Sequence, residues 1–195
     1  MIEEIKSEAL DKKVPIIKDG GLLFLLDLIK KENAKEILEL GTAVGYSSLN
    51  MSYISDDIHI DTIEKNEEMY LKALENIKNE HKENQINVYF TPIEEFKTDK
   101  MYDLIFVDAA KAQYGKYMEQ FLPNLKEDGV MLFDNMVFHG MIYDIENIKS
   151  RGTRALVRKI VKFRELVSND TRFDIMLYDK VGDGLLVLRR KKVGR

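Results

Sequence analysis

The chain has 195 residues, of which 45% are hydrophobic, with 34 acidic and 30 basic side chains and a formal charge of -4; this is enough apolar material for one sizeable core and carries no global bias toward a polyanionic partner. It contains no cysteine, which excludes a disulfide framework and thiolate metal sites and leaves oxygen or imidazole donors for any metal. Residues 1–10 alternate charges without the apolar stretch of a signal peptide, and the run 22–29 is interrupted by Asp27 and too short to cross a bilayer, so the expectation is a single domain over 1–195, cytoplasmic and without a membrane partner.

In chain order the pattern predicts a helix over 21–31, a strand over 36–40, a helix over 46–54, a strand over 59–64, a helix over 67–81 and strands over 86–90 and 102–108. A helix over 114–122, a strand over 129–134, a helix over 154–167 and two strands over 173–178 and 184–189 follow. Short β-branched runs alternating with stretches of helical period are the signature of a parallel sheet covered by helices. Val181-Gly182-Asp183 separates the last two strands and favours a tight reversal. The predicted class is α/β: a Rossmann-like, doubly wound, mostly parallel seven-stranded sheet with a C-terminal antiparallel hairpin.

The first chemical signal is Glu39-Leu40-Gly41-Thr42-Ala43-Val44-Gly45-Tyr46-Ser47-Ser48, where the first strand hands over to a helix. Two glycines there let backbone approach a ligand closely, but the G-x-G-x-x-G spacing that cradles a pyrophosphate is missing. Glu64 ends the second strand, where an acidic side chain in such sheets accepts hydrogen bonds from ribose hydroxyls. A nucleoside cofactor without a diphosphate fits both features, and the missing fingerprint disfavours a nicotinamide dehydrogenase. Taken alone, the glycines serve equally well as a tight turn and Glu64 as a solvated strand end.

The second signal is a set of oxygen ligands. Asp108 ends one strand, and Asp134 with Asn135 ends another. On neighbouring parallel strands all three emerge at the carboxyl edge, where open α/β sheets bind ligands. Two carboxylates and an amide carbonyl suit Mg²⁺ or another divalent cation, although any one of them alone is an ordinary turn or cap residue. Lys111 follows Asp108 by three positions, and a lysine held near a cation has its charged form disfavoured, which suits it to act as a general base. A binding-only protein has no use for this combination.

These stretches together resemble the metal-dependent S-adenosylmethionine O-methyltransferases that include the catechol and caffeoyl-coenzyme A O-methyltransferases. The resemblance runs over about 14–190 and rests on the Glu39 to Ser48 loop, Ile63-Glu64, residues 102–114 and 129–140, Thr153-Arg154-Ala155-Leu156 and Gly182-Asp183-Gly184-Leu185. It implies Asp108, Asp134 and Asn135 as metal ligands and Lys111 with Asp108 as the catalytic residues. It implies Glu39, Gly41, Thr42, Gly45, Ser47, Glu64, Ile93 and Asp108 as the S-adenosylmethionine site, and a homodimer. After the third strand, where the family usually has Gly-Asp-Ala or similar, this chain has Thr91-Pro92-Ile93.

Asp108-Ala109-Ala110-Lys111-Ala112-Gln113-Tyr114 looks most like the bacterial tRNA 5-hydroxyuridine methyltransferases, which implies methylation of a wobble base in the tRNA anticodon loop. A catechol and a 5-hydroxyuracil each present two adjacent oxygens to a metal, so a small catechol-like substrate is the alternative acceptor. Between Lys149 and Arg164 seven basic residues occur with no acid. On a helix Leu156, Ile160, Phe163 and Val167 form an apolar stripe, while Arg154, Arg158 and Lys162 follow a basic row that is the candidate RNA-binding face. Arg189, Arg190, Lys191, Lys192 and Arg195 would extend it. Tyr114, Phe138, His139 and Tyr143 are the aromatic candidates to stack on a base.

Overall fold

A computed structural model describes residues 1–191. The chain runs through α1 (Ile2–Asp11), α2 (Asp19–Glu32), β1 (Glu36–Leu40), α3 (Tyr46–Ser52), β2 (His59–Glu64), α4 (Glu67–Asn79), β3 (Ile86–Phe90) and β4 (Tyr102–Val107), and then α5 (Tyr114–Phe121), β5 (Leu125–Phe133), α6 (Arg151–Ser168), β6 (Phe173–Tyr178) and β7 (Leu185–Arg190). The seven strands lie in the order β3-β2-β1-β4-β5-β7-β6. Neighbours among the first five pair in parallel, while β7 pairs antiparallel with both β5 and β6. This is the predicted doubly wound sheet with its closing hairpin. The strand order reverses between β1 and β4, and there the loops leaving the two strands part to form a crevice.

Strands covered on both faces read as near-continuous apolar runs, and their alternation sorts side chains between two cores. From β1, Ile37 belongs to the core that holds Leu25, Ile29 and Leu49, while Leu38 belongs to the core on the opposite side with Tyr102, Ile105 and Phe121. Side-chain caps start two of the helices: Asn66 accepts from Met69 N–H at 3.0 Å ahead of α4, and Ser150 from Thr153 N–H at 3.3 Å ahead of α6.

Two elements differ from expectation. Helix α1 was hidden by its charges, yet Ile5 and Ala9 are buried and Glu8 pairs with Lys72 of α4 at 3.1 Å. Strand β5 begins at Leu125 rather than 129, because Leu125 pairs with Tyr102 across a polar stretch whose register slips between Tyr102 and Leu104. Among the described residues no helix is long and apolar enough to cross a membrane.

Candidate active site

The crevice holds a cavity of about 310 Å³, lined by Gly41, Thr42, Tyr46 and Ser47 from the first loop, Ile63 and Glu64 from β2, Ile93 after β3, and Asp108 and Lys111 after β4. Gly41 has φ +106, and a Cβ there would stand 2.4 Å from the carbonyl oxygen of Asp108, so glycine is required for the two loops to meet. The Glu64 carboxylate is clamped by the backbone N–H groups of Ala43 (2.9 Å), Lys65 (2.9 Å) and Asn66 (2.8 Å), which fixes it at the cavity wall. Thr42 and Thr62 hydroxyls meet at 2.7 Å beneath the loop.

Two residues expected at the cofactor stand elsewhere. Glu39 is fully buried behind the wall, accepting hydrogen bonds from Ser47, Ser48 and Thr62, so it supports Ser47 instead of lining the cavity. Burial pushes its carboxyl up to about 7, against the pull of those hydroxyls. Gly45, at φ +80, turns the chain into α3 and is likewise absent from the lining.

Beyond each strand the parallel ladder extends one step: Asp108 N–H donates to Leu40 O (3.1 Å) and Asp134 N–H to Val107 O (3.1 Å). Asp108 and Asp134 therefore leave neighbouring strand ends on the same edge; Asp108 lines the cavity, whereas Asp134 and Asn135 stand outside its lining. Burial raises the Asp108 carboxyl above its ordinary range despite the nearby Lys111. Burial and then repulsion from Asp108 raise Asp134, against the donated N–H of Asn135. Lys111 Nζ lies 3.6 Å from Asp108 Oδ1. Asn135 follows at φ +60, a conformation that Asn tolerates better than most side chains. Among the described residues no group of three or more Asp, Glu or His side chains is arranged to hold a metal ion; the available donor set is two carboxylates and one amide. Two carboxylates at one sheltered edge, with an amide next in the chain, make a hard donor set suited to a divalent cation.

Asp183, in the turn between β6 and β7, was quoted in the motif but given no role by sequence reasoning. It is buried, accepts from His139 N–H (2.8 Å) and Lys18 Nζ (3.0 Å) on Oδ1, and from Asn135 Nδ2 (3.2 Å) on Oδ2. Burial works against its charge, but the His139 N–H and Lys18 outweigh it and hold the carboxyl below its usual range. Val14, Pro15, Ile16 and Ile17, which close one side of the cavity, were also missed. An apolar run next to a proline and ahead of a helix was the only signal they offered.

Three arginines of the basic helix have partners within the chain. Arg154 donates Nε (3.2 Å) and Nη2 (2.6 Å) to the Ile148 carbonyl, and Arg158 pairs with Glu146 at 3.2 Å. Arg164 holds Met136 O (3.0 Å) and Asp179 (2.9 Å). Lys159 and Lys162 are exposed. In the tail, Arg190 donates to Leu125 O at 2.6 Å and Arg189 pairs with Glu32, so these two tie the sheet edge instead of extending a basic patch; Lys192 and Arg195 lie outside the described residues. Tyr114 is not available to stack on a base: it is buried against Phe133 and Phe163 and donates its hydroxyl to Asp134 O at 3.0 Å.

A glycine loop and a clamped strand-end acid at the reversal point of this sheet define an S-adenosylmethionine-dependent methyltransferase fold. The O-methyltransferase family profile matches residues 2–191. A caffeoyl-CoA O-methyltransferase of Populus kitakamiensis is 32% identical over 176 residues, covering 86% of this chain and 74% of that protein. A Staphylococcus aureus crystal structure, provisionally assigned as a caffeoyl-CoA O-methyltransferase, superposes with a TM-score of 0.93 at 38% identity, covering 97% of this chain and 91% of that one. A Bacillus cereus O-methyltransferase crystallised with SAH gives 0.81 at 25% identity, covering 97% and 90%. The chain belongs to the caffeoyl-CoA O-methyltransferase-like O-methyltransferase family and is an S-adenosylmethionine-dependent enzyme.

Proposed function

We propose that the enzyme methylates one oxygen of a small catechol-like acceptor, with a divalent cation such as Mg²⁺ held by Asp108, Asp134 and Asn135. The observation that carries this reading is the pair of strand-end carboxylates leaving neighbouring strands on one edge, Asp108 and Asp134, both raised by burial and Asp134 also by the charge of Asp108, with Lys111 3.6 Å from Asp108 and Asn135 next in the chain. A bound cation would neutralise that pair and act as a Lewis acid on an acceptor offering two adjacent oxygens. Glu64 would take the ribose hydroxyls of the cofactor, and Thr42, Ser47, Ile63 and Ile93, which line the same cavity, would wall it. Lys111, 3.6 Å from Asp108, is the group that takes the acceptor's hydroxyl proton. The new O–C bond forms as the methyl C–S bond breaks, so the acceptor leaves as a methyl ether and the cofactor as S-adenosylhomocysteine. The protein's contribution is positioning and charge placement.

The small acceptor is favoured because two of the three side chains of the basic row have partners within the chain, Arg154 on the Ile148 carbonyl and Arg158 on Glu146, and because the Populus relative carries a caffeoyl-CoA activity in its name. A second reading, methylation of 5-hydroxyuridine in tRNA, is supported by the exposed Lys159 and Lys162 on α6, the helix that packs on the Lys111–Gln113 turn. Methyl transfer from labelled S-adenosylmethionine decides between them. A panel of vicinal diphenols and bulk tRNA lacking the modification would each be assayed before and after chelation and Mg²⁺ add-back. Diphenol methylation that disappears with chelator and returns with Mg²⁺ is expected; turnover of tRNA alone would reverse the choice, and turnover in excess chelator would remove the metal.

A further inference from the structure

We propose that Asp183 is a positioning residue that sets which end of the Asn135 amide faces the cation. The inference rests on the reading that Asp108, Asp134 and Asn135 hold a divalent cation. A primary amide has two ends of nearly the same shape, and only the carbonyl oxygen can ligate a metal; the NH₂ group is a donor. Some neighbour must therefore choose between them. Asp183 Oδ2 lies 3.2 Å from Asn135 Nδ2, and an ionised carboxylate accepts hydrogen bonds without donating any. It thus holds the NH₂ toward itself and turns the carbonyl oxygen away.

The carboxylate is itself fixed. Its Oδ1 takes His139 N–H at 2.8 Å and Lys18 Nζ at 3.0 Å, so it cannot rotate without losing both. The backbone around it is laced to the loop carrying Asn135: Val137 N–H donates to Asp183 O and Met136 N–H to Gly184 O, both at 2.9 Å. Gly184, at φ +83, permits this approach, since a Cβ there would stand 2.7 Å from Val137 N. Asp183 is buried and neither it nor Asn135 is in the cavity lining; what Asp183 would do for a cation it does through the Asn135 amide that it holds. Partners of this kind orient a metal's ligands, and their loss typically costs about 10- to 100-fold in metal affinity.

Mn²⁺ binding to the full-length protein, without acceptor, followed by the electron paramagnetic resonance of the free ion, tests this. Asp183→Asn keeps the size of the side chain and a carbonyl for His139 N–H, but sets NH₂ against NH₂, and Asn135 must turn over. Affinity is expected to fall about 10- to 100-fold. Adding Asn135→Asp to that variant supplies a ligand whose two ends are equivalent and which accepts from the introduced amide. Affinity should return to within about threefold of wild type. Unchanged affinity in Asp183→Asn, or a loss that the double variant does not recover, overturns the assignment. Wild-type protein that binds no Mn²⁺ instead removes the metal reading beneath it. Should Asp183→Asn not fold, amide hydrogen exchange of the Asn135 side chain in wild type decides: slowed exchange with and without Mg²⁺ is expected, and free exchange overturns the proposal.

Discussion

Gly41 and Asp108 meet so closely that a methyl group on Gly41 would sit 2.4 Å from the Asp108 carbonyl oxygen. The loop bearing the cofactor wall and the loop bearing Asp108 and Lys111 are thereby set against each other by the absence of one carbon. Gly41→Ala should cost roughly 2–5 kcal/mol, combining the left-handed backbone penalty with overpacking. S-adenosylmethionine binding should be lost at concentrations that saturate wild type. Thermal denaturation and calorimetric titration measure the two; full binding with unchanged stability would show that the loops have room to part.

Glu39 gives a pH dependence with a definite sign. Its carboxyl is raised from 4.5 to about 7 in the fold, so the folded protein keeps a proton there that the unfolded chain releases. The associated stability is fully present below about 4.5 and is lost as pH rises through about 7, by at most about 3 kcal/mol. Glu39→Gln removes this titration while Ser47, Ser48 and Thr62 turn their hydroxyls to suit the amide. The difference in stability between variant and wild type should grow in the variant's favour from pH 5 to pH 8. A constant difference across that range would place the Glu39 proton elsewhere.

The crowding of Asp108 and Asp134 carries a stability cost that function offsets. Without metal at pH 8, Asp134→Asn should be more stable than wild type, because one of two repelling buried charges is gone. About 1 kcal/mol would raise Tm by about 2–4 °C in a chain of this size. Mg²⁺ should then raise the Tm of wild type and leave the variant unchanged, while the variant loses turnover. A Tm that falls in the metal-free variant would contradict the repulsion.

Arg154 and the lysines of α6 should separate by experiment. Arg154→Ala strips the Ile148 carbonyl of a charged donor and should destabilise by about 1.5–3 kcal/mol. Lys159→Ala and Lys162→Ala, on an exposed face, should stay within about 0.5 kcal/mol of wild type. If tRNA is the acceptor, each lysine lost from a phosphate should lower the slope of log affinity against log salt by about 0.7–0.9. Equal salt slopes in all three proteins would leave these lysines as solvated surface.

What the sequence determined by itself was the local: apolar runs of period two and helical stripes that name five parallel strands, the hairpin and most helices, and the strand-end acids Glu64, Asp108 and Asp134. These were legible because periodicity and strand-end position are properties of a short window of chain. Helix α1 escaped because its small buried face, Ile5 and Ala9, is outnumbered by charges, and the start of β5 escaped because its pairing with Tyr102 lies across a polar stretch. The tertiary structure alone decided which donors were already spent. Arg154 looks free in one dimension until Ile148 folds back onto it, and Tyr114 looks free until Phe133 and Phe163 enclose it. Lys18, Asn135, His139 and Asp183 come together across separations of up to 165 residues, and only chain closure over such distances fixes which hydrogen-bonding atom of each side chain is used and which is left for a ligand.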